Sequence, residues 1–134
     1  MQYPYTVVVT GKADTSNWTL VKIPGPKNGI INRLGIYVDT GDIQARLIND
    51  PQCSETQASP PAGYPNKDAG LIAPTINQTG TKYEAFAQNW AYMNANANNN
   101  ALNWDERSGF WMDLKLSSGA KYCIVVTVSL PNIY

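Results

Sequence analysis

Histidine is absent from the 134 residues. Ser-His-Asp and Cys-His catalysis both need an imidazole to take up and return a proton, so neither is available. Every zinc site that uses a histidine nitrogen is removed with it. Charge is scarce as well: 15% of residues are charged, and ten Lys+Arg balance ten Asp+Glu. A nucleic-acid partner calls for a basic stripe against the phosphates, and none is expected here. There are two cysteines, Cys53 in a Pro-rich stretch and Cys123 in an apolar run, too few and too far apart for a disulfide framework. Two free thiols in a reducing compartment are expected ahead of a long-range bridge. Apolar runs such as Ile124-Val-Val126 are a few residues long, far below the roughly 20 that cross a bilayer. No membrane partner is expected. Met1 to Tyr5 has no basic region followed by an apolar one, so no signal peptide is expected either. No Gly-rich phosphate loop occurs, and no nucleotide cofactor is implied.

What remains is a chain with 43% hydrophobic and 10% aromatic residues, suited to one packed core. At this length a single domain over 1–134 is expected. Tyr5–Thr10 is β-branched and reads as a strand, followed by Trp18–Ile23 with Trp18, Leu20 and Lys22 on one face. Pro24–Gly29 reverses the chain. In Ile30–Asp39 the apolar positions are Ile30, Leu34, Ile36 and Val38, with Arg33 and Tyr37 opposite. Ile43–Asn49 alternates, placing Ile43, Ala45 and Leu47 inward and Gln44 and Arg46 outward. These early segments read as a meander.

Asp50–Gly70 reads as a long loop rich in proline, of a length that calls for a function or a partner. Leu71–Ile76 reads as a short edge strand because Pro74 would interrupt a central one. Thr81–Asn94 fits two readings. As a short helix, Thr81 and Glu84 have capping-box spacing and Tyr83, Phe86, Ala87, Trp90 and Ala91 share a face. As a strand, Phe86, Trp90 and Tyr92 would share one with Glu84 and Gln88; the alanines favour the helix. Asn94–Asn100 is a low-complexity loop. Phe110–Leu116 and Lys121–Leu130 read as a hairpin with Phe110, Met112, Leu114, Leu116, Tyr122, Ile124, Val126 and Val128 inward. The pattern is that of an all-β chain, an antiparallel β-sandwich of seven to eight strands, jelly-roll-like or immunoglobulin-like, with the short helix near 81–94.

Among the acids, Asp39 and Asp42 flank one turn and Asp105-Glu106 precede the last apolar stretch. A glycosidase needs two carboxylates across a cleft, and calcium needs a richer oxygen set. The ordinary turn role is the expectation, with no catalytic residue and no metal. Cys53 has no adjacent base. The aromatics carry the stronger signal. Trp90, Tyr92 and Trp104 bracket the Asn-rich loop, and Trp111 alternates to the outward face, opposite Met112. Flat rings beside asparagines suit a sugar; equally, Trp90 and Phe110 would fill a core. Tyr64 and Tyr134 complete the candidate interaction surface with Trp90, Tyr92, Trp104 and Trp111. An outward Trp111 near Val125 implies cover by a loop, a sugar or another subunit.

In composition and architecture the chain resembles the small β-sandwich decoration (cement) proteins of tailed-bacteriophage capsids. That resemblance implies a non-enzymatic structural protein without cofactor. It would assemble in the host cytoplasm and sit on the capsid surface of the virion as a homo-oligomer, often a trimer. Its loops and termini would clamp adjacent major capsid protein subunits. The alternatives are a carbohydrate-binding module or lectin-like domain using Trp90, Tyr92, Trp104 or Trp111, and a small self-assembling coat protein. The neutral charge offers the latter little to hold a packaged genome.

Overall fold

The structure, a computed structural model, describes residues 5–93 and 109–130. Nine strands form two antiparallel sheets. Sheet I has the order β1 (Tyr5–Lys12), β9 (Lys121–Ser129), β3 (Asn28–Val38), β6 (Lys82–Ala85), with β7 (Trp90–Met93) also paired to β3. Sheet II has the order β2 (Trp18–Ile23), β8 (Phe110–Lys115), β4 (Ile43–Ile48), β5 (Ile76–Gln78). The inner faces meet in one core. Val21 and Ile23, Ile43, Ala45 and Leu47, and Phe110, Met112 and Leu114 come from sheet II; Ile31, Leu34, Ile36, Val38, Ile124, Val126 and Val128 come from sheet I. This is an all-β sandwich.

Alternation identifies the inward residues of β8 and β9 correctly, yet the two strands are not a hairpin. β8 pairs with β2 and β4, whereas β9 pairs with β1 and β3. The turn between them arches from one sheet to the other. Gly119 there takes φ 84° and donates its N–H to the Ala13 carbonyl at 2.7 Å. Inward residues of a hairpin and of an arch show the same period, because both point at the same core. For the same reason β2, β3 and β4 are not a meander: β3 lies in sheet I and its two neighbours in sheet II.

Three further departures have local causes. In β3 the register shifts between Ile31 and Arg33, so Ile31 and not Ile30 is buried with Leu34 and Ile36. A bulge adds one residue to a strand and reverses the faces on either side of it. The 81–94 segment is not helical over its described part, 81–93. β6 and β7 lie end to end along β3, facing Leu34–Tyr37 and Asn28–Ile31 respectively. Finally, Leu71 makes an isolated bridge to Ile48, and the edge strand β5 begins only at Ile76, beyond the exposed Pro74.

Candidate interaction surface

Each sheet has an outer face, and the two are finished differently. On sheet II the ladder sets three rows: Trp18–Lys115–Gln44, Leu20–Asp113–Arg46 and Lys22–Trp111–Ile48. Arg46 and Asp113 face away from the core, yet they are 4% and 0% exposed. Arg46 thus points outward as alternation expects, but it is covered. Its cover is the 49–75 segment, which folds back over β4 and β8. Arg46 donates from Nη1 to Asp113 Oδ2 at 2.6 Å and to the Cys53 carbonyl at 3.1 Å, and from Nη2 to Asp68 Oδ1 at 2.9 Å. Glu55 stands 3.7 Å from the same guanidinium. Asp113 accepts further bonds from Ser54 Oγ at 2.5 Å and the Glu55 N–H at 2.9 Å.

The electrostatics agree with this closure. Burial opposes the charge on Arg46, but its bonds to Asp68 and Asp113 outweigh that and hold its pKa above the ordinary value. A buried pair is tolerable only when its remaining bonding capacity is met, and here loop groups meet it.

Two short 3₁₀ turns organise the segment. In Pro51–Cys53 the Asp50 side chain accepts the Gln52 N–H, and in Lys67–Gly70 the Asn66 side chain accepts the Ala69 N–H. Asn49 N–H to the Gly70 carbonyl at 3.1 Å closes the segment on itself, and Ile72 N–H to the Leu47 carbonyl at 2.8 Å pins it to β4. Cys53 is buried beneath it. Desolvation, reinforced by Asp50, pushes its thiol up to about 11. Cys123 lies in β9 of sheet I, and both thiols are free.

The open row of sheet II is the Trp18 end, where Lys115 Nζ stands 5.8 Å from the Trp18 ring centroid. A hollow of about 180 Å³ lies there, lined by Trp18, Gln44, Ala45, Arg46, Thr75, Ile76 and Asn77.

Sheet I has no such cover within the described residues. The large exposed apolar side chains are Val8, Phe86 and Leu130, at 59%, 54% and 42%. Val8 lies on β1 between the core-facing Val7 and Val9, and Phe86 directly after β6 against Arg33, so these two stand on the outer face; Leu130 follows β9 in the inward phase of Ile124, Val126 and Val128. Arg33 lies over the Phe86 ring, 5.0 Å from its centroid. Tyr37 donates its hydroxyl to Glu84 at 2.7 Å. That bond raises the Tyr37 pKa and lowers that of Glu84.

The candidate aromatics fall in different places. Tyr92 is 3% exposed, donates its hydroxyl to the Pro26 carbonyl at 2.9 Å and packs 5.0 Å from Phe110 between ring centroids. Trp90 is half-buried against the same core. Trp111 lies on the outer side of sheet II with Lys22 Nζ 4.6 Å from its ring centroid, and its indole nitrogen is buried. Tyr64 is half-buried in the 49–75 segment, its N–H on the Pro61 carbonyl at 3.1 Å. Trp104, Tyr134 and the Asn-rich loop lie outside the described residues. The structure brings Trp90 and Tyr92 to the core and leaves Trp111 and Tyr64 on the other side of the sandwich. Sequence reasoning missed Val8, Phe86, Arg33 and the Arg46–Asp113 pair. Ile48, an apolar residue out of phase in β4, was the available sign that the outer face there is covered.

Asp39 and Asp42 accept backbone N–H groups of distant segments and not of their own turn, from Lys121 at 2.9 Å and from Gly80 at 2.8 Å. Among the described residues no group of three or more metal-ligating side chains comes together. Among the same residues no helix is long and apolar enough to cross a membrane.

No protein-family model matches the chain, and no curated protein matches it in sequence. Two of the solved structures similar to it come from phage capsids. One is a chain of the acidic stable capsid structure of Helicobacter pylori bacteriophage KHP30, at 9% identity and a TM-score of 0.43, covering 100% of this chain and 97% of that one. Another is a chain of the cyanophage Pam1 capsid asymmetric unit, at 12% identity and a TM-score of 0.39, covering 97% and 85%.

Proposed function

We propose that this chain is a non-enzymatic structural protein of a bacteriophage capsid, of the decoration or cement kind. It sits on the outer shell of the virion and holds neighbouring major capsid protein subunits by protein–protein contact. The observation that carries this reading is the one-sidedness of the sandwich. Over its Arg46–Asp113 row sheet II is closed by the chain's own 49–75 segment, whereas Val8 and Phe86 stand out from the outer face of sheet I. Val8 and Phe86 stand at opposite borders of that sheet, and a partner lying across its outer face would cover both. Arg33 over Phe86 adds the Arg–aromatic pairing that interfaces favour.

Co-sedimentation with undecorated capsid shells tests this. Wild-type protein is expected to pellet with shells and Phe86→Asp to stay in the supernatant while folding normally. Equal pelleting of both removes Phe86 from the contact, and no pelleting of the wild type ends the decoration reading.

A sugar is the second reading, favoured by the hollow at Trp18, whose ring stands beside Gln44, Thr75 and Asn77. Quenching or a shift of tryptophan emission on glycan addition, abolished by Trp18→Ala, supports it; an unchanged spectrum across a glycan panel dismisses it.

A further inference from the structure

The four sheet borders are not alike. β5 is three residues long and follows Pro74. The β6–β7 border is broken at Ala87, which takes φ 56°. β2 is shorter, at six residues, and is followed by Pro24 as β1 is preceded by Pro4. β1 is the longest at eight residues, pairs with β9 without a register shift from Tyr5 to Lys12, and among the described residues has a strand on one side only. Its sequence, YTVVVTGK, contains no proline and no charge before the final lysine. Soluble sheets guard such borders with bulges, prolines, short strands or inward charges. β1 has none of these along Tyr5–Gly11.

We propose that β1 is the seam of a two-fold dimer, pairing antiparallel with β1 of a second copy about an axis at Val8. The occupant follows from the pattern of the strand. A two-fold axis normal to the sheet keeps outer residues outer, so partners must share a face. Centring on Val8 sets Val8 against Val8, Thr6 against Thr10, Val7 against Val9 and Tyr5 against Gly11. Val7 and Val9 already pack partly buried on the core, so the pairing closes that end of both cores. On the outer face, Val8 and its neighbour Val125 join their counterparts in one apolar strip.

Charge selects the same arrangement. Lys12 and Lys121 stand side by side at one end of the β1–β9 pair. Like charges directly opposite one another are destabilising in a sheet. Parallel pairing would add two more lysines at that end, whereas antiparallel pairing sends the two sets to opposite ends of the seam. A strand from a different protein gains nothing from charge, because Tyr5–Gly11 offers none to read. The dimer stands on the β1 border alone and does not depend on shell binding. It also departs from the trimer that the decoration-protein resemblance implies.

Light scattering after gel filtration, across a dilution series, tests it with wild type, V8K, V8E and an equal mixture of the two variants. The expected wild-type mass is twice 14.7 kDa. Each variant alone is expected to halve that mass, with like charges meeting at the axis, and the mixture to restore it. A wild-type monomer throughout, a mass of three times 14.7 kDa, dimers unaffected by V8K, or a mixture that stays monomeric would overturn the proposal. Circular dichroism checks that each variant folds. Should either fail, amide hydrogen exchange of the wild type decides: protection along 6–10 that rises with protein concentration supports the seam, and protection independent of concentration overturns it.

Discussion

Asp113 sits in the middle of β8 on the side away from the core, and it has no solvent exposure. Its partner Arg46 carries three acids around one guanidinium, two of them from the 49–75 segment. Removing Asp113 leaves a buried cation with its remaining acids on the rim. Asp113→Ala is expected to cost about 3–5 kcal/mol in denaturant unfolding. The double change R46M/D113L is expected to cost less than D113A alone, because no charge is stranded; a larger loss would mean that the pair itself supplies the stability. Cys53 allows a second test at this scale. Its folded pKa of about 11 lies above the ordinary 9.0. A raised folded value means stability that is complete below pH 9 and is lost as pH climbs through 11. A shift of that size corresponds to about 3 kcal/mol. Native protein at pH 8 is expected to react rapidly with a thiol reagent at Cys123 only, and Cys53 to follow on unfolding. Rapid labelling of Cys53 at that pH would contradict its burial.

At the scale of elements, the sequence was most readable where one face is apolar and the strand is regular. The inward sets of β4, β8 and β9 are cases of this, since Ile43, Ala45, Leu47, Met112, Leu114, Ile124 and Val126 are all buried. It was least readable where the period breaks. Across β6 and β7 the inward residues are Tyr83 and Ala85, then Trp90 and Tyr92, each opposite a β3 residue of the inner face or its continuation. The phase moves from odd to even between the two strands, over Phe86–Asn89, so no single alternation runs through the segment. Helical spacing fits by default, and alanine content favours it. The break is stabilised where the Gln88 N–H reaches the Asn32 carbonyl at 2.8 Å, opposite the β3 bulge. Ala87 takes φ 56° at this point, a conformation costly for a residue with a Cβ. Ala87→Gly is expected to raise stability by about 0.5–1 kcal/mol, net of the glycine's extra chain entropy. A lower melting temperature would show that Ala87 contributes contacts worth more than its strain.

For the whole molecule, the division of labour between the two faces yields a prediction of opposite signs. The sequence placed Trp111 outward under some cover and left open whether a loop, a sugar or a subunit supplies it. In the folded chain its indole nitrogen is buried with no partner molecule present, beneath the Lys22 ammonium and in the ladder row of the buried Ile48. Alternation along a strand assigns a side chain to a face, but only a segment distant in sequence can close that face, and 49–75 has no periodicity to announce it. Trp111→Ala is therefore expected to lower stability by about 3 kcal/mol, the lower end for a buried tryptophan because the ring is only partly enclosed. Shell binding by the fraction that remains folded should be unchanged. Phe86→Asp is expected to do the reverse, since its ring is more than half exposed and rests on Arg33: binding lost, melting temperature nearly constant. Measuring melting temperature and shell pelleting on both variants separates the faces. If Trp111→Ala abolishes pelleting while the melting temperature holds, the partner sits on sheet II, and the closed and open faces exchange roles.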